Sequence, residues 1–220
     1  MRNFFNLDSS FMVFLSNLTD VVVLNAVCLI CCIPIITIGP SLTALHYVTL
    51  KMAREEEGYV LKSFFKAFKE NFKQSVIVWI LFLMVTFVFY LDYKILETMG
   101  LDKTRIYIII VGAIYLFVCF TTMYIFPLLS RFENTIKQTV KNALIMSILH
   151  IFKTVVMAII YTIPFILLPL HYNLILVFLL IGLSGPAYIN SYIWKSIFKK
   201  YEPQEEPQVI LEDEDFQIAE

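Results

Sequence analysis

Charge is scarce in this chain of 220 residues: Asp, Glu, Lys and Arg make up 16% of it, where a soluble domain carries about a quarter. Six glycines leave little room for a phosphate-binding loop. The four cysteines, Cys28, Cys31, Cys32 and Cys119, all sit in apolar runs and form nothing like a secreted disulfide framework. Cys28, Cys31 and Cys32 have no His or carboxylate neighbours at ligand spacing, so they read as small, lipid-compatible residues near helix contacts. His46, His150 and His171 are far apart and read as interfacial polar residues rather than metal ligands. Ser, His and acidic residues are scattered without nucleophile-elbow spacing. These absences lead to the expectation that the protein is not an enzyme and has no catalytic, cofactor-binding or metal-ligating residues. A cleavable signal is not expected either: Arg2 is the only early base, and Ser16, Asn17, Thr19 and Asp20 break the first apolar run.

What is abundant is apolar surface. Hydrophobic residues make up 59% of the chain, and mean hydropathy is +0.77. They cluster into long runs, which is the signature of membrane helices. Five spans are expected, at about 14–36, 75–91, 106–126, 154–170 and 174–194, within one all-α transmembrane bundle over 1–200. Residues 1–8 carry Phe4, Phe5 and Leu7, as either an interfacial start or a frayed end. The Pro34 and Gly39-Pro40 positions interrupt the chain after the first span, and helical periodicity resumes over 41–51. Residues 92–105 read as a mixed-charge loop, the third span as ending at Pro127, and Gly182 and Gly185-Pro186 as interrupting the fifth. Residues 201–220 form an acidic tail expected to be disordered.

Charge is segregated. From Glu202 to Glu220 there are eight acids and no base; the preceding body holds 17 bases and 10 acids, net +7. With five spans, 13 of the Lys and Arg residues fall on one side and four on the other. The basic side is expected to be cytoplasmic, with the N-terminus outside and the C-terminus inside. Between the first and second spans, Phe64, Phe65, Phe68 and Phe72 recur at three- and four-residue spacing beside Lys62, Lys66, Lys69 and Lys73. That is an amphipathic helix, suited to lipid headgroups or to a partner's groove. Nucleic-acid binding is disfavoured, because the Phe face follows helical spacing and adjoins a span. The Phe68–Ile77 stretch faintly echoes Ile136–Ile145. Either a two-helix repeat or the common character of entry helices accounts for it.

Candidate polar positions are Asp20, Asn25, Thr37, Gly39, Pro40, Asn71, Lys73, Gln74, Gly185 and Pro186. Asp20 lies either about 14 Å into the first span, at 1.5 Å rise per residue, or at its boundary. An acid within a span is a functional candidate by default. Asn25, Thr37 and Ser41 are expected to satisfy backbone groups freed by Pro34 and Pro40.

Leu24-Asn25, the run from Ile33 to Ser41 with Ala44 and Tyr47, the segment Phe68 to Ser75, and Phe126-Pro127-Leu128-Leu129-Ser130-Arg131-Phe132 together resemble the signatures of the YesL-like family of bacterial membrane proteins. The resemblance runs to about Lys200. It implies a multi-span protein of unknown biochemical activity, often encoded near carbohydrate-uptake and sugar-degradation genes, with no catalytic residues to carry over. Two functions follow as expectations. One is an accessory component that contacts the lipid bilayer and a partner such as a sugar-importer permease. The other is a small-solute transporter or channel subunit, working as a homo-oligomer, with a polar cavity joining the helix breaks near Asn25, Asn190 and Ser191. No cofactor is expected for either.

Overall fold

The computed structural model describes residues 10–56, 58–99, 104–170 and 172–201. The aromatic start at 1–8, Gly100, His171 and the acidic stretch 202–220 lie outside them. Among the described residues all regular structure is helical: α1 Ser10–Cys31, α2 Ile38–Ala53, α3 Val60–Glu70, α4 Phe72–Met99, α5 Thr104–Arg131, α6 Ile136–Leu149, α7 Ile151–Leu170, α8 Ile175–Ile181 and α9 Ser184–Phe198. Short 3-10 turns, Ile35–Thr37 and Tyr172–Leu174, precede α2 and α8. Helices α1, α4, α5 and α7 are each long and apolar enough to cross a membrane. Helices α8 and α9, bent by 46° at their junction, make a fifth crossing when taken as one broken span. The fold is an all-α polytopic bundle.

Several boundaries differ from the sequence expectation, each for a local reason. The first span ends at Cys31 rather than near residue 36, because the chain turns through Pro34 before α2 begins. Residues 92–99 continue α4 instead of forming a loop: they contain no breaker, and Lys94 pairs with Glu97 one turn on at 2.8 Å. Pro127 lies inside α5, which runs on to Arg131. The helix tolerates it because Tyr124, Ile125, Phe126, Leu128 and Leu129 are all buried around it, and that burial outweighs a proline cost of about 3 kcal/mol. The amphipathic helix ends at Glu70. Phe72, Lys73 and Gln74 therefore open the span helix α4.

Helix α2 is the centre of the molecule, in contact with α1, α3, α4, α5 and α9. It is buried nearly all round: Gly39, Pro40, Ser41, Thr43, Ala44, Leu45, His46, Val48, Thr49, Leu50 and Ala53 are all interior. A helix this small-sided lets neighbouring backbones come close. At Gly39 a side chain has no room, since a Cβ would lie 2.5 Å from the Ser75 carbonyl oxygen and 2.7 Å from Trp79 Cβ. Two apolar clusters flank α2. One joins Leu50, Tyr124, Met157, Trp194 and Phe198; the other joins Leu24, Cys28, Leu45, Val48, Phe64 and Ala187.

The remaining surface is apolar and bare. Met84, Phe87 and Val88 on α4, Ile106, Ile109 and Ile110 on α5, and Ile159, Phe165 and Ile166 on α7 all face outward. Continuous apolar surface on that scale requires hydrocarbon around it. Many of the basic residues gather at one end of the bundle. Lys195 Nζ donates to Ala53 O at 2.8 Å, Lys153 Nζ to Ser196 Oγ at 3.1 Å, and Lys51, Arg54, Ser130 and Arg131 share one cleft. The ends of α2, α5 and α9 and the start of α7 therefore lie together.

Overpacking a backbone contact costs about 1–3 kcal/mol, so Gly39→Ala should lower the thermal midpoint in mild detergent by several degrees. Gly112→Ala, where an added Cβ meets nothing within 4 Å, should leave the midpoint in place. Equal effects at the two glycines would contradict the close α2–α4 approach.

Candidate functional site

The chain interrupts its helices twice within the bundle, and each break exposes backbone groups that lipid cannot satisfy. At the first break, Thr37 Oγ1 reaches Cys31 O at 2.6 Å and Pro34 O at 2.8 Å. Ser41 Oγ donates to Thr37 O at 2.7 Å, and Trp79 Nε1 donates across from α4 to Ile35 O at 2.8 Å. Thr43 Oγ1 and Ser75 Oγ, 2.8 Å apart, then tie α2 to α4. Thr37 and Ser41 thus stand where the sequence placed them. Trp79 is an addition that no local pattern signals, because its partner is 44 residues away.

Asn25 turns instead to the second break. Its Nδ2 donates to Leu179 O at 2.7 Å and to Phe178 O at 3.2 Å, both at the end of α8. Its Oδ1 accepts from Leu183 N at 2.9 Å and Ser184 N at 3.0 Å, at the start of α9. Ser184 Oγ donates to Val21 O at 2.7 Å, adding a second strut to α1. A helix end offers bare carbonyls and a helix start bare amides, so closing the gap between them takes one side chain that both donates and accepts. A primary amide does this. Aspartate has no donor and leucine has neither group. The expectation that Asn25 serves the Pro34–Pro40 break is therefore corrected: that break closes with its own hydroxyls, which leaves Asn25 for the other. Gly182 in the gap is crowded by Phe178. Pro186 falls in the first turn of α9, where a missing N–H costs little.

The other sequence candidates do not join this network. Asp20 is half-buried on α1 within the first span. Asn71 donates to Ala67 O at 3.1 Å and closes α3 locally. Lys73 is exposed and Gln74 half-buried at the start of α4. The expected Phe face divides between α3 and the start of α4. Phe64 is fully buried and Phe68 packs against the same cluster, whereas Phe65 and Phe72 are exposed. Phe64 is therefore part of the core and not a partner or lipid contact.

The polar groups named for a solute path are engaged within the bundle. Asn190 Nδ2 donates to Met157 O at 3.3 Å and Ser191 Oγ to Tyr188 O at 2.5 Å, both inside packed helices. A cavity of about 330 Å³ between α7, α8 and α9 adjoins the second break and is lined by apolar residues including Pro164, Phe178, Gly182, Gly185, Pro186 and Ile189. Among the described residues no group of three or more His, Cys, Asp or Glu could hold a metal ion.

His46 sits on α2, which is not one of the spans, and burial pushes its imidazole from the ordinary 6.5 down to about 3. The folded protein therefore takes up this proton less readily than the unfolded chain. The stability that neutral His46 contributes is complete above pH 6.5 and is lost as the pH falls from there toward 3. The unfolding midpoint should drop more steeply below pH 6.5 in the wild type than in His46→Gln; parallel curves would contradict the buried neutral ring. Asn25→Leu should strip partners from buried amides and carbonyls at about 1–3 kcal/mol each, and leave little folded protein in detergent. A thermal midpoint equal to wild type would contradict the clasp.

Residues 21–93, which run from Asn25's turn of α1 through the first break, α2 and α3 into α4, match a family model described as "Protein of unknown function, DUF624". No curated protein and no solved structure matches the chain.

Proposed function

We propose that this multi-pass protein is an accessory component of the cell membrane that presents the α3 face to a partner, and is not itself a conduit. The observation that carries this reading is a second apolar stripe on α3. Phe64, Ala67 and Val60 already hold the helix to the bundle. Leu61 and Phe65, one step round the helix, remain 46% and 45% exposed. Lys62, Lys66 and Lys69 border that stripe and are exposed too. A helix needs one apolar face to dock on its own fold; a second one beside lysines suits a partner with an apolar groove and an acidic rim. The sealed breaks support the same reading, since a solute path would need polar groups left free to bind.

The YesL-like resemblance adds the finer proposal that the partner is a permease of a carbohydrate importer. The basic ends of α2, α5 and α9 would then face the cytoplasm, with the N-terminus outside. No catalytic step is part of the proposal.

The test is affinity purification from native membranes in mild detergent. Wild type should carry a transport permease with it. Leu61→Asp combined with Phe65→Asp should lose that permease while keeping its thermal midpoint, because both side chains are exposed. Retained association, or solute flux through the purified protein alone in proteoliposomes, would overturn the reading.

A further inference from the structure

Helices α7 and α9 run antiparallel, with Lys153 against Ser196 and Met157 against Asn190, and their outer seam changes character along its length. At the basic end of the bundle it opens as a groove of about 410 Å³, lined by Phe152, Lys153, Val156, Tyr192, Ile193 and Ser196. The polar members stand at the mouth. Lys153 Nζ donates to Ser196 Oγ at 3.1 Å, and Lys199 and Lys200, both exposed, follow at the end of α9. Val156 on α7 and Ile193 on α9 lie about one turn deeper. A further turn in, Ile160 and Ile189 begin the cavity of about 330 Å³ that reaches Gly182, Gly185 and Pro186 at the helix bend. Val156, Ile160 and Ile163 recur at three- and four-residue spacing, as do Ile193, Ile189 and Pro186, so each set lies on one face of its helix. The two cavities follow one track.

The track dictates its occupant. It is cationic and hydroxyl-bearing at one end and apolar for the rest, so the ligand has an anionic head and a hydrocarbon tail. From Lys153 to Ile163 it runs about 15 Å at 1.5 Å rise per residue, half of a hydrocarbon core about 30 Å thick, which is the depth of one leaflet. A second copy of the chain suits it less. A two-fold axis along the membrane normal would set each Lys153 at the same depth as its counterpart on a facing surface, like charge against like. We propose that the α7–α9 seam holds one anionic phospholipid from the leaflet at the basic end. Lys153 Nζ has three protons and gives one to Ser196; the Ser196 hydroxyl accepts there and still has its own proton to donate. Both therefore serve the phosphate, and basic pockets between membrane helices are suited to such headgroups. One acyl chain lies over Val156, Ile160 and Ile189 and ends in the space that Gly182 and Gly185 leave beside the bend.

The test is photolabelling of the protein in phosphatidylcholine nanodiscs. The probe is a trace of phosphatidylglycerol carrying a diazirine midway along one acyl chain, and adducts are mapped by mass spectrometry. They should concentrate at Val156, Ile160 and Ile189. At equal dose the phosphatidylglycerol probe should give about fivefold more adduct there than a phosphatidylcholine probe, the preference one basic residue supplies near an anionic headgroup. Lys153→Ala should bring the two probes level. Gly185→Leu, where an added Cβ would meet only Ile181 Cβ at 3.5 Å, fills the inner end of the track and should lower the adduct at Ile189. Adducts spread evenly over α4, α5 and α7, equal labelling by the two probes in wild type, or a preference that survives in Lys153→Ala would overturn the proposal. So would a dimer that shields this face from both probes. Should either variant fail to fold, the wild-type preference and adduct map decide alone.

Discussion

A broken helix inside a bilayer has to find partners for its own backbone, and this fold meets that demand with a single amide. Asn25 on α1 accepts from the first amides of α9 and donates to the last carbonyls of α8. The clasp holds the first span against the last across more than 150 residues of sequence. Water is absent from the hydrocarbon layer, so the alternative is several bare polar groups at several kcal/mol each. The bend between α8 and α9 is therefore held by a structural hydrogen-bond set rather than left free to swing.

The same logic runs through α2. Its Ser and Thr hydroxyls bond back to carbonyls one turn away or to α4, so a helix surrounded by others presents few unsatisfied groups. Its small side chains bring α4 and α9 close, and Gly39 is where that approach is tightest. Burial thus concentrates where α2, α3 and α9 meet the basic ends of the bundle, while the outer halves of α4, α5 and α7 are left for lipid. This division leaves the α3 stripe of Leu61 and Phe65 as an exposed apolar surface beside positive charge. The reading of the protein as a docking component comes from that placement.

Much of this was legible in the residues. The apolar runs located the crossings, Pro34 and Gly182 located the breaks, and the Phe/Lys periodicity located α3. Periodicity and breakers are local signals, so they report local structure. Asn25 could be singled out as a polar residue in an apolar run, but the sequence pointed it at the nearest break, because proximity along the chain is all a sequence shows. Its true partners lie on α8 and α9. Phe64 and Phe65 are adjacent and chemically identical, yet one is core and the other surface; that depends on the angle at which α3 docks.

The central claim is that backbone groups at the α8–α9 break are closed by a side chain from α1. Amide hydrogen exchange in lipid nanodiscs, resolved at Leu183 and Ser184, tests it most directly. The account predicts that these two amides exchange as slowly as those in the middle of α9, although the bend parts them from the α8 carbonyls four residues before and Asn25 Oδ1 is their acceptor. Exchange as fast as at the exposed turn around Gly58 would mean that Asn25 does not hold them, and the account would fall.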